Sequence, residues 1–454
     1  MPASDTIVAL STPPGRSGIG VIRLSGAHAL GLVRKLLRKD HFAPEANRVS
    51  LQTIFNPESG EVLDQALITY FQAPHSFTGE DVIELSCHGS PVLLLHVVDA
   101  LLLLGARAAD PGEFTLRALA HGRINLSQAE AIRDLIDAQT NAAVQQAARQ
   151  LGGEFSARLQ PIKDALLDII VPLESSLEFV EDDLPEITLA RIGAQLSNLI
   201  QTLDSLAVTY RSGRLLKDGL KVTLVGRPNV GKSSVFNRLL HLDRAIVTDI
   251  PGTTRDSLSE LINIQGVPVL LTDTAGVRPS DDPIESIGIE RTRRAMVDAD
   301  LTVVILDGAQ ALTDEDHYIL AAARKNKYLI ALNKSDLPAF TADIVKGLDY
   351  EGFMPISAKT GAGLEAFRAA LLEPFTENPV HDAGFLITNA RHYDLLRRAS
   401  DALRSSRQLL ENRASEDLLL VGLYDALRYL GEITGETTPE NVLSQIFATF
   451  CIGK

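Results

Sequence analysis

Residues 226–233 read Gly-Arg-Pro-Asn-Val-Gly-Lys-Ser, GRPNVGKS, and their reading decides the fold around them. The stretch matches G-x-x-x-x-G-K-[ST], follows the apolar run KVTLV at 221–225, and leads into SSVFNRLL, which has helical patterning. A strand that turns through such a loop into a helix aims backbone N–H groups and a positive helix end at phosphate oxygens. Lys232 is then expected to reach the β- and γ-phosphates, and the Ser233 hydroxyl to ligate Mg2+. Asn229, Val230, Gly231 and Ser234 complete the expected nucleotide-binding loop.

Downstream motifs follow in order. Asp273, Thr274, Ala275 and Gly276 (DTAG) close the apolar run VLLTD, placing a carboxylate for Mg2+ and a glycine amide for the γ-phosphate. Between loop and DTAG lies TDIPGTT, comprising Thr248, Asp249, Ile250, Pro251, Gly252, Thr253 and Thr254, with Thr254 a second hydroxyl for the metal. Asn333, Lys334 and Asp336 belong to NKSD at the end of YLIAL. A carboxylate there accepts from the N1–H and exocyclic amine of guanine, and adenine has no N1–H. Ser357, Ala358 and Lys359 (SAK) follow the last strand and back the base. Together these motifs resemble the translation-factor class of GTPases.

Val277 stands after DTAG, where many small GTPases carry a glutamine that orients the attacking water. Another group must do so here. Asn229 has the side-chain oxygen to hold a monovalent cation, and Thr248 with the Ile250 and Thr253 carbonyls could complete the cage. Glu285 could reach a water from the switch side, although locally it reads as a solvated loop carboxylate.

The 454 residues suggest about three domains. Lys and Arg number 43 against 58 Asp and Glu, a balance of −15 that disfavours a nucleic-acid partner except through a local basic patch. No signal sequence is evident, and VLLLHVVDALLLL at 92–104 is too short and too polar to span a bilayer, so it reads as a buried helix. A cytoplasmic location follows from this and from having two cysteines.

From 1 to 120, runs such as TIVAL, GVIRL, VSLQTIF, ALITYF and DVIEL mix with helical stretches, an α+β domain. Residues 121–215 read as helical, opening on a capping box at Ser127 and Glu130. Residues 216–378 alternate strands and helices, a mainly parallel sheet in a Ras-like P-loop domain. Helices return over 379–454, the last starting at Thr438 with Pro439 in its first turn and Val442, Ile446 and Phe450 along one face. The fold class is therefore multidomain α/β and α+β, with the GTPase block inserted in a helical domain; two separate helical domains stay open.

The chain ends FCIGK, with Cys451 fourth from the end and Cys87 the other cysteine. The ending fits prenylation badly, and with no C-x-x-C pair a zinc site is disfavoured. Cys451 reads locally as a small apolar group closing a helix. The loop NVGKSS, the terminal CIGK, TPPGRSGIGVIRLSG, SFTGEDVIEL and PGEFTLRA, in that company, resemble the MnmE (TrmE) family of tRNA modification GTPases over essentially the whole chain.

That resemblance implies a homodimer joined through the N-terminal domain, which holds a tetrahydrofolate derivative (5,10-methylene- or 5-formyl-) as one-carbon donor. Its ligands would be Arg23, Glu80 and Arg123, the last often lysine in the family. Read locally, Glu80 is a turn carboxylate and Arg23 an exposed strand end. The resemblance further implies K+ held by Asn229, Thr248, Ile250 and Thr253, Glu285 orienting the water, and Arg255 and Asp256 coupling the switch to the helices. The implied partner is the flavin (FAD) protein MnmG, in a heterotetramer or larger complex. Together they would add an aminomethyl or carboxymethylaminomethyl group to C5 of the wobble uridine of certain tRNAs. Modifying C5 calls for a nucleophile at C6, which makes Cys451 a candidate catalytic thiol that a flexible end could deliver. Arg391, Arg397, Arg398, Arg404 and Arg407 form a basic run that reads as a solvated helix face or an RNA contact. A ribosome-assembly GTPase would add a KH module or a second P-loop, and neither is evident here. A pure switch would leave the folate-like motifs unexplained.

Overall fold

The computed structural model describes residues 5–178, 186–243, 258–273, 296–346, 348, 352–375 and 384–453. It divides into two units. One comprises Met1–Arg133, Leu151–Ser156 and Gly431–Lys454, the other Asp134–Gln150 and Ala157–Leu430.

Alternation builds the first unit. Strands β1 (Ile7–Leu10) and β2 (Ile19–Ser25) precede helix α1 (Ala29–Leu37), then come β3 (Val49–Phe55), β4 (Val62–Phe71), β5 (Val82–His88), α2 (Pro91–Leu103) and β6 (Arg107–Ala108). Sheet order is β3-β4-β5-β2-β1-β6, antiparallel except for β1 with β6. Ile22, Leu24, Ile68, Ile83, Leu85 and Cys87 share one face and pack against the apolar sides of α1 and α2. The sequence reads α2 as a buried helix. It covers only that sheet face, through Leu94, Val97 and Leu101, and leaves Val92, Leu95 and Leu103 exposed.

Helices α3 (Glu113–Ala120) and α4 (Leu126–Asp137) follow. The cap of α4 is not the expected Ser127–Glu130 pair. Asn125 Oδ1 accepts from Gln128 N at 2.9 Å while Gln128 Oε1 accepts from Asn125 N at 3.0 Å, so the reciprocal box begins two residues earlier. Ser127 spends its hydroxyl on the same Asn125 oxygen. Two amide side chains each accept from the other's backbone N–H, whereas Ser127 already lies inside the first turn.

The helical path continues through α5 (Asn141–Leu151), α6 (Glu154–Glu178), α7 (Glu186–Val208) and α8 (Tyr210–Asp218). Then come β7 (Leu220–Val225), α9 (Lys232–Asp243), β8 (Leu258–Ile264), β9 (Val267–Asp273), β10 (Leu301–Asp307), α10 (Asp314–Ala323), β11 (Tyr328–Asn333), β12 (Phe353–Pro355) and α11 (Leu364–Leu372). The order β12-β11-β10-β7-β9-β8 is parallel except for the β8–β9 hairpin. Every residue of β10 is buried, as a central parallel strand covered on both faces requires. The chain ends with α12 (Ala390–Glu411), α13 (Glu416–Thr434) and α14 (Glu440–Phe447). Pro439 is the N-cap of α14 rather than part of its first turn, and Phe450 lies past its end, buried beside Phe447. Among the described residues no helix is long and apolar enough to cross a membrane.

Candidate active site

The loop between β7 and α9 is shaped by three residues at positive φ: Gly226, Asn229 and Gly231. A Cβ on Gly226 would lie 2.4 Å from the Ile305 carbonyl, so the close approach to β10 requires glycine. Asn229 adopts φ +65, a conformation asparagine tolerates better than most residues. Lys232 is buried and folds back over the loop, its Nζ donating to the carbonyls of Gly226 (2.6 Å) and Arg227 (2.9 Å). Burial holds its pKa below the ordinary lysine value, against the pull of Asp273. Ser233 Oγ donates to Asp273 Oδ2 at 2.8 Å, which joins the loop to the end of β9. A hydroxyl and a carboxylate in contact, beside an ammonium, form an oxygen-donor set that fits Mg2+ carrying phosphate.

At the other end of the site, the end of β11 meets the loop after β12. Asn333 Nδ2 donates to the Val230 carbonyl at 2.9 Å, and its Oδ1 accepts from Ala358 N at 3.1 Å, so one buried amide fastens both loops. Lys334 reaches Asp307 at 2.6 Å. Asp336 is exposed and accepts from Ser357 Oγ at 2.6 Å; that bond, aided by Lys359, holds its carboxyl below the usual range. It therefore stays an acceptor-only group, as the reading of guanine requires. Thr248–Thr254, Arg255, Asp256, Thr274–Gly276 and Glu285 lie outside the described residues.

A charged cluster occupies the first unit. Arg117, nearly buried, donates to Glu80 Oε2 (3.0 Å), Asp5 Oδ1 (2.7 Å) and Glu113 Oε1 (2.9 Å), and Arg107 also binds Asp5 and Glu113. Glu80 also accepts from Ser25 Oγ at 2.7 Å. Burial pushes the Asp5 and Glu113 carboxyls up, but the arginine hydrogen bonds outweigh it and hold both below the ordinary range. Arg23 sits two residues along β2 from Ser25, binding Glu84 Oε1 through Nε (2.9 Å) and Nη2 (2.7 Å). Arg123 is exposed, its stem beside Gly79. Glu80 thus lies between Ser25, two residues from Arg23, and Gly79, which the Arg123 stem adjoins. Cys451 is exposed, but its segment is docked, because Gly453 O accepts from Arg23 Nη1 at 3.2 Å. The flexible delivery expected of the chain end is not what the backbone shows.

Two family models match: the GTP-binding protein TrmE N-terminus over residues 6–123 and the MnmE helical domain over 126–451. The chain is 44% identical over 458 residues to a tRNA modification GTPase MnmE of Koribacter versatilis, covering 100% of both chains. It is 40% identical over 452 residues to that of Aquifex aeolicus, covering 99% of this chain and 100% of the other. The chain belongs to the MnmE family. Among solved structures, Era of Aquifex aeolicus aligns over 40% of this chain and 66% of that one at 24% identity and TM-score 0.29, a likeness too slight to argue from.

Membership in the MnmE family covers both the nucleotide loop and the charged cluster, yet several residues that shape them escape sequence reading. Arg227 binds Asp316 (3.1 Å) and Gln310 (2.7 Å), tying the loop to the start of α10. Arg117 stands four residues after Glu113, a spacing that signals a helical ion pair but not its reach to Asp5 and Glu80. In the basic run, Arg398, Arg404 and Arg407 pair with Asp394, Asp204 and Glu411 respectively.

Proposed function

We propose that the chain binds GTP with Mg2+ across residues 226–234 and 333–359, hydrolyses it, and couples hydrolysis to modification of a tRNA wobble uridine at C5. The observation that carries the nucleotide reading is the Ser233–Asp273 contact of 2.8 Å beside the folded-back Lys232. Lys232 exchanges two loop carbonyls for phosphate oxygens, and Asp336, oriented by Ser357, accepts the two guanine N–H groups. Ser233 and Asp273 would hold Mg2+, which would supply positive charge to offset the charge that builds on the phosphate oxygens during hydrolysis. Asn229, with Thr248, Ile250 and Thr253, supplies oxygens for K+, and Glu285 orients the water that Val277 cannot hold.

Arg23, Glu80 and Arg123 are the proposed folate contacts. Their fit rests on chemistry: a carboxylate for the donor face of a pterin and two cations for its anionic tail. A tetrahydrofolate derivative supplies the one-carbon unit there, the flavin protein MnmG shares the tRNA reaction, and Cys451 is the working thiol. The uncovered face of the first sheet, with exposed Ile19, Val49, Leu51 and Leu67, supports a homodimer through this unit.

Mass spectrometry of wobble nucleosides tests the reading. Cells lacking the protein should lose the C5 side chain, and cells carrying Cys451→Ser should lose it while purified protein still hydrolyses GTP. Replacing K+ by Na+ should slow that hydrolysis sharply; equal turnover in both salts would remove Asn229 from a cation site.

A further inference from the structure

The C-terminal tail is held by its backbone, and each of its anchors has a distinct physical cause. Phe447 and Phe450 are buried with Leu126 and Ala129, which fixes the chain up to three residues short of Gly453. Gly112, at φ +70, donates its N–H to the Cys451 carbonyl at 3.4 Å. A Cβ there would lie 2.9 Å from Phe447 O and 3.0 Å from Phe450 Cβ, so only glycine lets α3 and the tail meet this closely. Gly453 is buried at φ +93, and a Cβ on it would lie 2.5 Å from Leu10 O. Its carbonyl accepts from both Ser11 Oγ and Arg23 Nη1 at 3.2 Å. Between these anchors Cys451 and Ile452 face outward.

We propose that Arg23 is a positioning residue for Cys451: with Ser11 it clamps the Gly453 carbonyl and so fixes the thiol beside the folate edge. The inference rests on the proposed role of that thiol and of Arg23 in ligand binding. The guanidinium has donors for both tasks. Nε and one Nη2 proton serve Glu84 and one Nη1 proton serves Gly453, which leaves one N–H on each terminal nitrogen for a ligand. Placement of tail and ligand therefore draws on one rigid fork, itself seated 5.7 Å from the Phe114 ring centroid. A thiol held two residues from that fork is oriented before the reaction begins, which saves the ordering entropy of a free chain end.

The experiment uses the full-length protein with a nitroxide spin label on Cys451. Cys87 is buried and its thiol pushed up to about 12 by burial, so the label goes to one site. The native protein should show a slow-motion electron paramagnetic resonance spectrum. Gly453→Ala and Arg23→Met should convert it to a fast, tail-like spectrum, while Arg23→Lys, which keeps a donor for the carbonyl, should stay slow. In unlabelled protein, hydrogen exchange of the Gly112 amide should accelerate roughly tenfold in Gly453→Ala, with GTP hydrolysis unchanged. Wobble-uridine modification should fall in the same variants. An unchanged slow spectrum in both Gly453→Ala and Arg23→Met overturns the clamp. So does a released tail with full modification, provided Cys451→Ser abolishes modification. If Cys451→Ser modifies normally, it is the thiol's proposed role that fails, and the spectra still decide the clamp.

Discussion

At the scale of single residues, the nucleotide site depends on what kind of polar atom each side chain offers. Asp336 presents two acceptors, and Ser357 donates to one of them at 2.6 Å, 21 residues away in sequence. Asp336→Asn replaces one acceptor with an N–H, which would face the exocyclic amine of guanine, donor against donor. GTP affinity should fall on the order of a hundredfold, because one partner is lost and another left unpaired. Xanthosine triphosphate, with a carbonyl where guanine carries its amine, should bind the variant better than GTP. Calorimetric titration with both nucleotides decides it, and an unchanged preference for GTP would show that Asp336 does not face the base. Asp336 was legible in sequence because its motif ends an apolar strand. The support of Ser357 was not, since hydroxyl direction depends on two loops brought together by Asn333. The same contrast separates the cysteines: sequence shows that there are two, and only packing makes Cys87 inert and Cys451 accessible.

At the scale of elements, ion pairs tie α3 to the segments that lead into β1 and β5. Arg117 on α3 reaches Asp5, 112 residues earlier, and Glu80, 37 residues earlier. Arg117→Met would leave Glu80 with Ser25 and would leave Asp5 and Glu113 with Arg107, and should cost about 1–3 kcal/mol, read as a lowered denaturation midpoint of the first unit. The pH dependence has a definite sign. Asp5 and Glu113 are held below their ordinary values in the fold, so their contribution is present above the unfolded carboxylate range of about pH 4. It is lost as pH falls through the lowered values. Native protein should therefore resist acid to below about pH 4, and Arg117→Met should unfold at a higher pH. Coincident acid transitions for the two proteins would deny the network this role. Strand positions here follow from apolar alternation, which is local and readable. The network joins residues from three distant segments, and no local period carries that information. The α4 cap was missed for a different reason. Two candidate boxes overlap in Asn125–Glu130, and the amide that begins the first of them prevailed.

For the whole molecule, the first sheet has one face covered by α1 and α2, while its other face is covered near β1 by Phe114 and bare over β3, β4 and the start of β2. The registers Leu51↔Leu67 and Ile19↔His88 place exposed apolar side chains on the outer face, opposite the core that α1 and α2 cover. Leu51 is 61% exposed, and so is Val49 on the same strand. Exposed apolar side chains grouped on one sheet face suit a protein partner, and the proposed second copy would present the same face by symmetry. Leu51→Asp puts a carboxylate on that face without touching the core, so the folded monomer should be unharmed. In the proposed dimer the same carboxylate would be desolvated opposite apolar groups or its own copy, at a cost on the order of several kcal/mol. The variant should sediment with half the native mass at micromolar concentration, keep the native melting behaviour of its GTPase unit, and lose tRNA modification if the reaction needs both copies. A native mass in Leu51→Asp would move the interface elsewhere. A halved mass with intact GTP hydrolysis would separate the proposed assembly through the first unit from hydrolysis at the nucleotide loop, since the two involve different parts of the chain.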